Sequence, residues 1–306
     1  MPDSATVDRA AERPPHITTG LALATIGAVA FSGKAIIVKL AYRYGVDAVT
    51  LIMLRMLFAL PLFVALAWWA GRGKPPLTGR DRLAILGLGF SGYYLASFLD
   101  FAGLAYVTAG FERLVLYLNP TLVLLLGWML FERRFGARQL AALAVSYAGV
   151  LLVFGHELKS EGPDVALGAL LVFASAVSYA LYLVYSGEVV KRLGSLRLTG
   201  LATSVACVLC IAQFVLLRPL AAATTVAPEV VWLSLLNATA CTFAPVLMVM
   251  MAIERIGPTL AAQTGMIGPM STILMGVVIL GEPFTAWIAA GSALVIAGVW
   301  LLTRWR

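Results

Sequence analysis

Residues 116–132 read LYLNPTLVLLLGWMLFE, and residues 265–282 read GMIGPMSTILMGVVILGE. Each is an apolar run with a proline near its start and a glutamate at its end. Pro120 and Pro269 stand 149 residues apart, and Glu132 and Glu282 stand 150 apart. Proline and glutamate do not exchange freely with leucine, so their shared order carries information that apolar matching alone would not. Working outward, nearly the same spacing relates Gly20 to Gly168, Gly45 to Gly194, and Ala148-Gly149-Val150 to Ala297-Gly298-Val299. The chain reads as two copies of one unit.

Composition says where that unit sits. Of the 306 residues, 61% are hydrophobic and 12% charged, against about 45–50% and about 25% in soluble domains. An ordinary soluble enzyme and a disordered chain are both excluded, and a polytopic membrane protein is indicated. Ten apolar segments follow one another at 17–41, 47–70, 83–103, 106–131, 136–155, 165–190, 196–217, 229–252, 257–280 and 284–303. Each is near the roughly 20 residues that a spanning helix needs. The expected fold is an all-α membrane protein of ten transmembrane helices. With five spans per copy, an odd number, the copies enter the membrane in opposite senses and form two inverted five-helix repeats. The expected organisation is an N-terminal tail over 1–16, a first repeat over 17–155 and a second over 164–303. Residues 1–16 mix acids and bases and lack the pattern of a signal peptide.

The net charge of +7 first suggests nucleic acid, but its distribution argues for topology. With both termini cytoplasmic, fifteen of the 22 Lys and Arg fall on the inside, four on the outside and three within spans. That asymmetry is the positive-inside signal. It predicts cytoplasmic termini in a plasma membrane of bacterial inner-membrane type, with lipid and not nucleic acid as the partner. Nothing in the sequence speaks to oligomeric state.

Ionisable residues inside spans cost about 2.5–3.5 kcal/mol each on insertion scales and so mark function. Lys34, Arg55, Asp100, Glu112 and Arg113 fall within or at the edges of the first four spans. Their counterparts in the second half are neutral: Tyr182, Ser204, Val249, Ala261 and Ala262. The duplication is therefore symmetric in its backbone signals and asymmetric in charge. One reading is a polar vestibule for an anionic or zwitterionic solute, in which Arg55 or Lys34 meets a carboxylate. In that reading Asp100 or Glu112 takes a proton for coupling. The other reading is a salt-bridge network holding helices 1 to 4 together. Helical spacing adds Tyr93 and Ser97, which share a face with Gly89 and Asp100 in span 3. It also adds Tyr179 and Tyr182, which lie on a stripe with Ser175, Ser178 and Ser186 in span 6. Thr264 shares a small polar stripe with Gly268 and Ser271, and Asn119 precedes the first proline. Prolines at matching places in both halves point to interrupted helices at a substrate site.

Other motifs carry little. Cys207 and Cys210 form a lone C-x-x-C inside an apolar run, and Gly87–Gly92 fits G-x-G-x-x-G inside a span, where no dinucleotide loop can form. Asn237-Ala238-Thr239 fits a glycosylation sequon but falls inside span 8. His16 and His156 sit at span ends without a ligand cluster. No phosphate-binding P-loop is present, so transport would be secondary, by exchange, proton coupling or facilitated flow. No cofactor, metal or catalytic group is expected.

The ordered set of residues resembles the drug/metabolite transporter superfamily in its EamA-like branch. The first half carries Arg55, Asn119-Pro120, Leu130-Phe131-Glu132 and Gly149-Val150. The second carries Ile256-Gly257-Pro258, Gly268-Pro269, Gly281-Glu282 and Gly298-Val299. The resemblance covers about residues 17–303. It departs at Phe31-Ser32-Gly33-Lys34, where the family often has Trp-Gly, and at Glu112-Arg113, where many members are small and neutral. The resemblance implies ten helices and the export or exchange of small metabolites, with amino acids or related compounds leading and drug efflux as the rival.

Overall fold

The structure is a computed structural model and describes residues 15–131, 136–265 and 267–304. Glu132 and the expected tail up to residue 14 lie outside the described residues. The chain forms α1 (Pro15–Tyr42), α2 (Ala48–Gly71), a composite α3 (Gly79–Leu104) and a two-piece α4 (Ala109–Leu116 and Asn119–Phe131). It continues with α5 (Ala137–Glu161), α6 (Asp164–Leu193) and α7 (Ser195–Leu217). After a short turn, α8 runs Pro228–Ala238 and Ala244–Gly265 with a π turn at Thr239–Phe243 between them. Last come α9 (Ile267–Met275, then a π turn Gly276–Leu280) and α10 (Ala286–Arg304). Among the described residues there is no strand.

Local chemistry sets several ends. Asp47 accepts from the backbone N–H groups of Val49 and Thr50 and so caps α2. Thr78 and Asp81 cap α3 reciprocally. In α4 the helix breaks at Tyr117 and Leu118, and Pro120 stands in the first turn of the second piece, where its missing N–H is least costly. Pro120 thus begins a new segment, the interruption of the fourth span that the sequence suggested. Pro269 is the buried third residue of the described stretch Ile267–Met275.

Eight helices are long and apolar enough to cross a membrane, and Ile267–Leu280 and Ala286–Leu301 are shorter apolar helices. The expected loop between the eighth and ninth spans is not seen. The backbone stays helical to Gly265, in keeping with the cost of exposing unpaired backbone groups in lipid. Between Ile256 and Gly268 the chain nonetheless turns back along α1. Ile256 packs on Gly20 near the start of α1, whereas Gly268 lies against Ala28 and Ser32, farther along it.

The packing is two-fold in pattern. α1 packs on α8 and α9, and its counterpart α6 packs on α3 and α4. α2 pairs with its own counterpart α7, and α5 with α10. The α5–α10 seam gives the relation at atomic scale. A Cβ on Gly149 would come within 2.6 Å of the Gly291 carbonyl oxygen, and one on Gly298 within 2.7 Å of the Ala142 carbonyl oxygen. Gly149 and Gly298 are equivalent in the duplication, as are Ala142 and Gly291, so these are one contact seen twice. Such close approach is what small residues allow between membrane helices. The π turns of α3 and α8 also fall at equivalent places. Large side chains such as Trp68, Trp232, Leu216 and Val278 point outward, as a lipid-facing surface requires.

Candidate functional site

A cavity of about 420 Å3 lies between the two repeats and is walled by residues of α1 to α4 and α6 to α9. Its size falls within the roughly 300–1,000 Å3 range of small-molecule pockets. Eight of the residues singled out from sequence line it: Lys34, Arg55, Tyr93, Ser97, Asp100, Arg113, Asn119 and Tyr179. Glu112 is fully buried beside it. Tyr182 stands behind Tyr179 and Tyr93, stacked on the first and with its hydroxyl 3.2 Å from that of the second. Thr264 is half-buried next to Gly265 of the wall and does not itself line the cavity.

The charged residues are arranged unequally. Lys34 Nζ lies 2.5 Å from Asp100 Oδ2 and 3.7 Å from Glu112 Oε1. Arg113 Nε lies 4.0 Å from Glu112 Oε2 and donates to Thr272 Oγ1 at 2.9 Å. Two bases and two acids thus form one connected group. Arg55 stands apart. It is 5% exposed and, among the described residues, has no acid within ion-pair distance. Its Nε donates to Thr242 Oγ1 at 3.2 Å, and its guanidinium carbon lies 5.1 Å from the centre of the Phe101 ring, a favourable cation–π distance. Its Nη1 is buried without a hydrogen-bond partner. Asp100 Oδ1, in the same wall, also lacks one.

Local breaks in the helices place these groups. The π turn of α8 turns Thr242 so that its hydroxyl donates to the Asn237 carbonyl, five residues back, at 2.8 Å while receiving Arg55. Such turns recur at functional sites. Pro120 has no N–H to offer the Leu116 carbonyl. The Asn119 side chain supplies the donor instead, at 2.7 Å, and its Oδ1 remains unpaired beside the cavity. Ser32 Oγ reaches the Gly268 carbonyl at 2.7 Å and pins the start of α9 to α1.

Sequence reasoning missed Ser32, Thr199, Thr203 and Thr242, along with the apolar wall of Phe31, Met56, Phe63 and Met250. The duplication held the signal for much of this. Phe31 and Tyr179, Arg55 and Thr203, Tyr93 and Thr242, Ala96 and Pro245, Asp100 and Val249, Leu116 and Gly265, and Asn119 and Gly268 all line the cavity. Each pair is separated by 148 or 149 residues.

The cavity reaches toward the end of the bundle where α1 begins, through Thr199 and Thr203 early in α7 and Met250 late in α8. At the other end bonds close over it, two within the first repeat (Lys39 and Tyr42) and two between the repeats (Arg43 and Glu282). Lys39 Nζ donates to the Val107 carbonyl at 2.9 Å, Tyr42 to the Phe101 carbonyl, and Arg43 Nη2 to the Leu280 carbonyl at 2.7 Å. Glu282 of the second repeat accepts from the backbone N–H groups of Ala109 and Gly110 at 2.8 and 3.3 Å. It caps α4 of the first, where a carboxylate also meets the favourable end of the helix dipole.

Comparison with known proteins agrees with this architecture. The pattern of the EamA-like transporter family matches twice, at residues 18–155 and 166–304. The chain is 30% identical over 278 residues to the uncharacterized transporter YcbK of Bacillus subtilis (strain 168), covering 84% of each chain. It is 26% identical over 274 residues to an uncharacterized transporter of Archaeoglobus fulgidus, covering 89% of this chain and 93% of the relative. A solved structure described as "Crystal structure of protein" superposes with a TM-score of 0.62 at 19% identity, over 94% of this chain and 97% of that one. At that identity the likeness concerns the fold.

Proposed function

Because the chain belongs to the EamA-like transporter family, we propose that it is a secondary transporter that exports or exchanges small organic metabolites, amino acids or related compounds leading, by alternating access. In this reading two inverted repeats, over 17–155 and 164–303, rock about the cavity between them. The termini face the cytoplasm of a bacterial-type inner membrane. Substrate binds among Lys34, Arg55, Tyr93, Ser97, Asp100, Arg113, Asn119 and Tyr179, with Glu112, Tyr182 and Thr264 supporting the wall. The observation that carries the reading is Arg55, a buried cation with an unpartnered Nη1 at a cavity between the repeats. A guanidinium so placed suits a carboxylate, and the Tyr93 and Tyr179 rings suit the rest of an amino-acid-sized solute. Asp100 and Glu112 are the candidates for proton coupling. An efflux pump for hydrophobic cations fits less well, since the unpaired wall charge is positive.

Counterflow in liposomes, over amino acids, nucleotides and cationic drugs with and without a pH gradient, tests this. Uptake of amino acids or related acids is expected. No flux of any solute by folded protein would sink the transporter reading, and flux of hydrophobic cations alone would sink the substrate class. Arg55→Gln should reduce flux to background while the protein still inserts.

A further inference from the structure

We infer that the cavity selects a solute of net charge −1, an organic monocarboxylate, over a zwitterion of the same shape. The inference rests on the transporter reading for its role and on the geometry of the cavity for its chemistry.

The argument is one of charge balance in a place where imbalance is costly. Lys34 and Arg113 are matched by Asp100 and Glu112 within 4.0 Å. These four groups sum to zero when ionised. Arg55 adds one positive charge, 5% exposed and, among the described residues, tied only to neutral partners, Thr242 Oγ1 and the Phe101 ring. A buried charge without a counterion is the expensive case, and a pair completed by the ligand removes the expense. A monocarboxylate on Nη1 brings the cavity to neutrality. A zwitterion brings the same carboxylate together with an ammonium, and the excess of one positive charge persists. Asp100 Oδ1 could accept that ammonium, but Asp100 Oδ2 already holds Lys34, so the acid would be shared between two cations.

The opposite half of the wall offers nothing to offset a second cation. The counterparts of Lys34, Arg55 and Asp100 are neutral: Tyr182 at an offset of 148, Thr203 at 148 or Ser204 at 149, and Val249 at 149. The facing positions of the second repeat, Thr199, Thr203, Thr242, Val246, Val249 and Met250, are neutral. They supply hydroxyls and apolar surface, which suit the uncharged remainder of the solute.

A matched series separates charge from shape: leucine (net 0), N-acetylleucine and 4-methyl-2-oxopentanoate (net −1), and leucine methyl ester (net +1 when protonated). Binding is measured by calorimetry on the purified protein in detergent, and counterflow is measured in parallel. Both monoanions should bind at least about tenfold more tightly than leucine, with the ester weakest. In Arg55→Gln that advantage should vanish. In Arg55→Lys, which keeps the charge, the order should survive at lower affinity; this separates loss of charge from loss of fold. Leucine binding as tightly as the monoanions, failure of both monoanions to bind, or an unchanged preference in Arg55→Gln overturns the inference. Equal flux of leucine and the monoanions overturns it while leaving the transporter reading in place. Selective binding of the monoanions with no flux does the reverse.

Discussion

Replacing Asp100 alone should cost the protein more than replacing Asp100 and Lys34 together. Their ion pair is buried at 2.5 Å, and removing one partner of such a pair costs about 3–5 kcal/mol, whereas exchanging both for apolar groups is often near neutral. Asp100→Asn is therefore expected to lower the unfolding midpoint in detergent clearly, and Lys34→Met with Asp100→Leu to recover most of the loss. Both should transport poorly. Equal destabilisation by the single and double changes would contradict a paired role. At this scale the sequence was most legible where residues violate the membrane's rule. Lys34, Arg55, Asp100 and Arg113 stand out because charge in an apolar span demands a reason, and all four line the cavity. Thr199, Thr203 and Thr242 gave no such warning. A threonine in a membrane helix can satisfy its hydroxyl on its own backbone, as Thr242 does at Asn237, so its presence implies nothing until a neighbour such as Arg55 is seen beside it.

The helices carry two further tests. Asn119→Leu leaves the Leu116 carbonyl without the donor that Pro120 cannot supply. An orphaned buried acceptor costs about 1–3 kcal/mol, so a loss of that order is expected, and Asn119→Gln should not restore it if reach matters. Gly149→Leu should separate α5 from α10, because even a Cβ there meets the Gly291 carbonyl oxygen at 2.6 Å. The variant is expected to unfold at a lower temperature, with Gly298→Leu, its two-fold counterpart, behaving alike. A wild-type midpoint in either would contradict the close seam. Element number and order could be read from hydropathy because each span must bury its backbone inside one helix. The break in α4 was foreshadowed by Pro120. The π turns were not. A π turn needs one extra residue accommodated within a helix, and the side chains around Gly89–Leu95 and Thr239–Phe243 form no distinctive pattern. The end of the eighth span, read at 252, agrees with the apolar stretch Pro228–Ile253, although the backbone stays helical beyond it.

At the scale of the whole molecule, the ties at the far end of α1 close that end of the cavity, which in the proposed cycle is one of two access routes. Glu282→Gln keeps the shape but removes the charge that favours the α4 N-terminus. A cysteine introduced at Ser97, with the buried Cys207, Cys210 and Cys241 replaced, should be labelled faster by a membrane-impermeant thiol reagent added on that side when Glu282 is Gln. Unchanged labelling would mean the tie does not govern access. The inverted arrangement itself was legible from an odd number of spans per copy, while the ties were not, since most of them run from side chains to backbone carbonyls. The unmatched charge of Arg55 has one more consequence, and it concerns voltage. In the proposed alternating-access cycle the water-accessible side of that charge switches in the empty carrier, so part of an elementary charge moves through the membrane field. A full charge is worth about 2.3 kcal/mol per 100 mV. With a monoanion bound, the same movement is electrically silent. With the termini cytoplasmic, as proposed, an inside-negative potential should then hold the empty protein with its cavity toward the cytoplasm, the state in which the far end is tied. Return of the empty carrier, and not delivery of the solute, becomes the step that the membrane potential sets.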